Sequence, residues 1–159
     1  MGNSVEFKTP QPPITKMFLG EYKHIVDPKG RVAIPAKFRQ KLSTGAIITR
    51  GLDKCLFVFD LKEWEKLAAK LISLPISQSN SRAFARLMLS GASDGNFDAQ
   101  GRILIPDYLR KYAGIDKQIV IAGVYNRFEI WDSALWHDYK VKTEAESDEI
   151  AEKIGELGI

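Results

Sequence analysis

Two stretches of the chain carry the same grouping of side chains. Residues 27–39 read DPKGRVAIPAKFR and residues 98–110 read DAQGRILIPDYLR. In each, an aspartate (Asp27, Asp98) stands three residues before a glycine (Gly30, Gly101) and four before an arginine (Arg31, Arg102). The first copy gathers four cations, Lys29, Arg31, Lys37 and Arg39, around a tight turn and a short strand. Such a turn suits a nucleic acid: Lys29 meets phosphate, and Arg31 offers paired donors to a guanine edge. On the residues alone the competing reading is a solvated basic turn, in which Asp27 caps the backbone and pairs with Arg31. Gly30 and Gly101 read as backbone necessities rather than contacts. Arg102, without a lysine beside it, either reaches DNA from the adjoining half or stabilises an interface. Arg39 and Arg110, on the helix after each turn, read as surface cations.

Catalysis has less to stand on. Asp27 and Asp98 in a duplicated chain resemble the two halves of an aspartic-protease dyad, but neither is followed by Ser/Thr-Gly. No H-E-x-x-H, G-x-x-x-x-G-K-[ST] or G-x-G-x-x-G occurs. His24 and His137 lack the spacing of metal ligands. No catalytic, metal or cofactor residue is assigned, and no small-molecule substrate is expected.

The elements that must position the two turns repeat with them. A shift of 71 pairs Met17 with Met88, Gly20 with Gly91, Asp27 with Asp98, Arg31 with Arg102, Pro35 with Pro106 and Arg39 with Arg110. After one inserted residue the shift is 72 and pairs Gly51 with Gly123, Asp60 with Asp132 and Trp64 with Trp136. The chain is therefore a duplication. In each copy a strand (Glu21–Val26 in the first) enters the turn. A second strand, Arg31–Ile34, follows, and Pro35 opens a short helix, Ala36–Leu42. Asp-Pro-x-Gly is good type I turn chemistry. Further strands are expected at Ala46–Thr49 and Leu56–Phe59, then a helix N-capped by Asp60 with Glu63 as its capping-box partner. Leu61, Trp64, Leu67, Ala68 and Leu71 share one face of that helix. The second copy runs in parallel through Ile119–Val124 and Arg127–Trp131 to a helix opened by Asp132. The three tryptophans, Trp64, Trp131 and Trp136, read as core or interface anchors rather than base-stacking platforms.

The boundaries follow: an extension at 1–16 (a flexible arm or an upstream start), a first repeat at 17–72 and a helical linker at 73–87 with a helix near Ser79–Ser90. A second repeat spans 88–140, and an acidic tail, either a frayed helix or disordered, spans 141–159. A module of about 50 residues buries too little apolar surface to stand alone. Two copies with one pattern are expected to share a core about a pseudo-twofold axis, which would make the two turns equivalent.

The chain has 159 residues and a net charge of only +3. The charge is unevenly spread. Lys and Arg outnumber Asp and Glu by 11 to 6 in residues 17–72, but are outnumbered by 7 to 6 in 88–140 and by 6 to 2 in 141–159. Apolar runs fall far short of the roughly 20 residues of a membrane span. No secretory leader or myristoylation site is legible, since Glu6 stands where the latter needs Ser or Thr. The one cysteine, Cys55, in CLFVF, reads as a buried strand residue. Cytoplasm is the expected compartment.

The pair DPKGR and DAQGR, the shared Gly-Arg-(apolar)3-Pro core, LFVFDLKEWE and FEIWD resemble the MraZ family, bacterial transcription regulators with two SpoVT-AbrB-type domains. The likeness runs from MFLGEY at Met17 to about Asp138. It implies an α+β, mainly β fold: a duplicated swapped-hairpin, AbrB-like β-barrel with pseudo-twofold symmetry and peripheral helices. It also implies a ring-like homo-oligomer on double-stranded DNA, usually a repressor at short direct repeats upstream of the division and cell-wall gene cluster, and so nucleoid-associated. Lys29, Arg31 and Arg102 become the expected DNA contacts, with Asp27, Gly30, Asp98 and Gly101 as motif residues. An antitoxin-like or structural oligomeric binding module is the alternative. The 16 residues before Met17 have no counterpart in the family pattern.

Overall fold

The computed structural model describes residues 17–158; the expected extension at 1–16 lies outside them. The strands are β1 (Phe18–Ile25), β2 (Arg31–Ala33), β3 (Ala46–Arg50), β4 (Leu56–Asp60), β5 (Ser93–Gly95), β6 (Arg102–Leu104), β7 (Gln118–Tyr125) and β8 (Phe128–Asp132). The helices are α1 (Ala36–Lys41), α2 (Leu61–Ile72), α3 (Ser79–Ser90), α4 (Asp107–Tyr112), α5 (Ser133–Ala145) and α6 (Ser147–Gly155). The tail left open between frayed helix and disorder is helical through Gly155.

Six strands form one antiparallel sheet in the order β1-β7-β8-β4-β3-β5. The two repeats interleave in it, since β1 of the first pairs with β7 of the second, and β4 with β8. The remaining strands, β2 and β6, form a separate two-stranded ribbon. The fold is thus α+β and mainly β, but its hydrogen bonding does not close into the expected barrel. The sheet ends at β1 and β5, and the ribbon lies against its face, with a main-chain bridge from Ile103 to Phe97 just past β5.

Side-chain alternation explains the layering. In β4, Leu56 and Val58 join the ribbon-side core with Val32, Ile34, Ile103 and Ile105, while Phe57 and Phe59 join the opposite cluster. In β8, Phe128 and Ile130 face the ribbon and Trp131 faces away. Strands covered on both faces read as continuous apolar runs, and LFVF is such a run; in FEIW the run is interrupted by Glu129, which is buried with Arg127 and the Trp131 Nε1–H as partners. The ribbon, α1 and α4 cover one face; α2, α3 and α5 cover the other through Trp64, Leu71, Met88, Leu135 and Trp136. All three tryptophans therefore pack in or against a core. Cys55 is buried just before β4, where desolvation pushes its thiol well above the usual range. The buried Thr49 hydroxyl donates to the Met88 carbonyl at 2.6 Å, tying the end of α3 to the sheet.

Both expected helix caps are present. Asp60 accepts the Glu63 N–H at 2.8 Å, and Asp132 accepts those of Ala134 and Leu135. The reciprocal half of the capping box is absent, because the Glu63 carboxylate takes Lys66 at 3.3 Å instead. No helix among the described residues is long and apolar enough to cross a membrane.

Phe38 of α1 is the aromatic hub beneath the first turn. Its ring meets Phe18 edge-on at 5.0 Å, Tyr22 at 5.2 Å and Phe128 at 5.3 Å. It is 1% exposed. Phe38→Ala should therefore cost about 3–5 kcal/mol of unfolding free energy, read from urea denaturation. A change below about 1.5 kcal/mol, the level of a well-tolerated core swap, would show that the hub is not structural.

Candidate nucleic-acid interface

Each turn is built around its aspartate. Asp27 accepts the main-chain N–H groups of Lys29 and Arg31 on Oδ1, both at 2.9 Å, and the Arg31 Nε–H on Oδ2 at 2.7 Å. Its carbonyl accepts the Gly30 N–H at 2.9 Å, and its own N–H donates to the Arg31 carbonyl at 2.9 Å. The second turn repeats the pattern: Asp98 accepts the N–H groups of Gln100 and Arg102 at 2.9 Å and the Arg102 Nε–H at 2.8 Å. Gly30 and Gly101 close these turns at φ of +85° and +74°, where any Cβ is strained. The Arg31 main-chain N–H, reinforced by the Arg31 guanidinium, holds the Asp27 carboxyl below its usual range despite partial desolvation. The Arg102 N–H and guanidinium do the same to Asp98.

The two turns meet. In the ribbon Arg31 stands opposite Leu104, Val32 opposite Ile103 and Ala33 opposite Arg102. Past its ends the Ile105 N–H donates to the Gly30 carbonyl at 2.9 Å, and the Ile34 N–H to the Gly101 carbonyl at 3.3 Å. Arg102 also places Nη1 3.5 Å from Asp27 Oδ2, so it stands between both carboxylates. Arg31 spends only Nε on its aspartate, and its terminal nitrogens make no hydrogen bond among the described residues. Lys29 is exposed, and its ammonium is likewise unbonded there. The two readings left open for Arg102 thus divide: its contact with Asp27 joins the repeats, while a DNA contact would need its outer edge.

Arg39 and Arg110 correct the surface reading. Both are half-buried and crossed under the turns of the opposite repeat. A Cβ on Gly30 would fall 2.8 Å from Arg110 Cζ and 3.0–3.1 Å from its terminal nitrogens, which means that the guanidinium lies flat against the turn. A Cβ on Gly101 would land on the Arg39 guanidinium. The Nε–H groups of both arginines are buried without an acceptor among the described residues. Arg31 and Arg102 thus meet Asp27 and Asp98, and Arg110 lies 3.7 Å from Asp107, whereas Arg39 has no carboxylate partner among the described residues. Lys29 adds to the excess, so that cations flank the short ribbon at both of its ends. The missed signal was in the duplication, which repeats Arg39 as Arg110 as faithfully as Arg31 as Arg102. Arg127, in contrast, is held by the buried Glu129 at 3.0 Å and lies over the Phe57 ring.

Interleaved tandem repeats that bring two aspartate-braced arginine turns together define a two-module protein with a cationic display. A family model described as "MraZ protein, putative antitoxin-like" matches residues 17–87 and again 88–155. The transcriptional regulator MraZ of Halothermothrix orenii is 52% identical over 143 residues, spanning 90% of this chain and all of the relative. That of Acetivibrio thermocellus is 50% identical over the same shares. The chain belongs to the MraZ family, a family of transcriptional regulators rather than of enzymes.

Two outcomes test the turn geometry. Gly30→Ala and Gly101→Ala should each cost about 1–3 kcal/mol of stability from the positive φ alone, measured by thermal or urea unfolding. Because the Asp27 and Asp98 carboxyls are lowered on folding, the stability that they contribute is complete above the unfolded value near 3.9. It is lost as pH falls through the folded values, so the double Asn variant should show a flatter acid limb between about pH 4 and pH 2.

Proposed function

We propose that this protein is a sequence-specific, double-stranded-DNA-binding transcriptional regulator that reads its site with the first turn. The carrying observation is Arg31: Asp27 fixes its Nε edge, while its terminal nitrogens remain for a base edge. Lys29 beside it suits a phosphate, and Arg102 joins from the second turn with the edge that Asp98 and Asp27 leave open. The basic balance of residues 17–72 favours the first turn as the stronger reader. Family membership and the relatives' name support regulation. The finer reading is a repressor at short direct repeats upstream of the division and cell-wall gene cluster, working in the cytoplasm at the nucleoid.

The reciprocal register of the ribbon supports the further reading of two half-barrels about a pseudo-twofold axis, in the swapped-hairpin manner. One turn pair makes few contacts, so useful affinity calls for several subunits on spaced repeats at once, as a ring-like homo-oligomer. Exposed Ile72, Ile76 and Leu157 support such assembly. An antitoxin-like module is a second reading, supported by the wording of the family description. Its mark would be a stoichiometric toxin protein co-purifying with the chain.

Arg31→Ala should cost about 1–3 kcal/mol per engaged subunit and relax sequence preference. Lys29→Ala should weaken binding to all sequences and lower the salt slope by about one for each phosphate that the ammonium no longer neutralises. Arg102→Ala should cost less than Arg31→Ala, and Arg127→Ala almost nothing. Fluorescence anisotropy on DNA upstream of the gene, over a salt series and with oligomeric mass checked, measures all four. Wild-type binding by Arg31→Ala would remove the first turn as the reading head.

A further inference from the structure

The three most exposed large apolar side chains among the described residues are Ile76 at 80%, Leu157 at 79% and Ile72 at 72%. They belong to two separate features. Ile72 and Ile76 lie where α2 gives way to α3, and with Leu89 they line a groove of about 330 Å³ between these helices. That is roughly twice the 150 Å³ of a cavity that holds one benzene, enough for about two aliphatic side chains. Arg82 and Arg86 edge the groove. Arg82 spends one nitrogen on the Ile76 carbonyl at 2.9 Å, and the Arg86 guanidinium has no partner among the described residues.

Leu157 belongs to the other feature. It follows α6 and continues the stripe of Ile150 and Ile154 at the spacing i, i+4, i+7 of one helical face. Around that stripe stand Asp148, Glu149, Glu152 and Glu156, opposed only by Lys153. One feature is an apolar groove with a cationic rim, and the other an apolar ridge with an anionic flank.

Their placement keeps them apart within one subunit. The α2–α3 pair packs on β3 and β4, α5 packs on β7 and β8, and α6 follows α5. In the strand order β1-β7-β8-β4-β3-β5, groove and ridge therefore lie towards opposite halves of one sheet. Complementary patches at separate places on a subunit make a heterologous contact, which closes into a ring when its rotation permits.

We propose that the α6 ridge of one subunit seats in the α2–α3 groove of the next, Leu157 and Ile154 entering between Ile72 and Ile76 while the α6 carboxylates face Arg82 and Arg86. The occupant is a second copy of this chain because the chain itself carries the matching shape and the opposite charge. The contact rests on the reading that the protein assembles with itself, and it names the surfaces that do so. It also gives the acidic C-terminal segment a role away from the DNA-facing turns.

The test uses the full chain in two forms, Ile76→Cys and Leu157→Cys, with Cys55 silent because it is fully buried. Each form alone, and the two mixed after subunit exchange, is treated with a short bis-maleimide. A covalent dimer in the mixture only is the expected result. Dimers within a single form would indicate a symmetric contact, and no dimer in the mixture would indicate another interface; either overturns the proposal. Ile76→Asp and Leu157→Asp should each reduce the light-scattering mass to that of one or two subunits without lowering the melting temperature of the subunit. An unchanged mass would mean that the groove serves a different protein, and overturns the proposal too. A wild type that is monomeric at micromolar concentration would instead sink the self-assembly reading itself, and a wild type that is oligomeric while these results fail would sink only this contact.

Discussion

The contact on which the structure turns is the crossing of the two repeats at their turns. Neither β2 nor β6, three residues each, is long enough to be stable by itself. Each is held by the other, by main-chain bonds from Ile34 and Ile105 to the glycines of the opposite turn, and by the arginine of the opposite helix laid on that glycine. Val32, Ile34, Ile103 and Ile105 can bury only because this ribbon exists, and the central sheet has its cover on that face only because they do. The turns are therefore tightly constrained as well as basic.

The two constraints are linked. A guanidinium packed under a glycine cannot tolerate a side chain there, and glycine alone takes the required φ without strain. The same small residue thus closes the hairpin and admits the cation. Asp27 and Asp98 then offset enough of the charge to hold the Arg31 and Arg102 guanidinium groups together without spending every donor. The contacts are reciprocal, yet the charges are not: Lys29 in the first turn is Gln100 in the second. Reciprocal contacts therefore carry an unequal set of charges.

How much of this was legible depended on the range of the interaction. The repeat, the Asp60 and Asp132 caps and the bounds of α3 were readable because caps, turns and helical periodicity act over a few residues. The α+β class followed from the family resemblance, with the apolar run of β4 and the capped helix after it in agreement. The ribbon was not, since it joins residues 71 apart in the duplication and depends on the packing of both copies. Closure into a barrel was expected from resemblance and is not borne by the hydrogen bonding, which leaves β1 and β5 as edges. Arg39 and Arg110 were misread because an arginine on a helix beside polar neighbours usually faces water; only the opposite turn makes a place for them. Of the site, the turn geometry was legible, while the clasp of Arg102 on Asp27 was one of two readings left open.

The interleaving of strands also governs when the protein can exist at all. The register of β1 on β7 sets Phe18 opposite Tyr125, so the first strand made waits for one made more than a hundred residues later. At ribosomal speeds of about 5–20 residues per second, that is an interval of several seconds or more during which the first repeat has no partner. A nascent chain halted after the first repeat would expose β1 and half a ribbon, a surface suited to chaperones or to another copy of itself. For the same reason the two repeats are poor candidates for independent exchange: the unit of inheritance here is the pair.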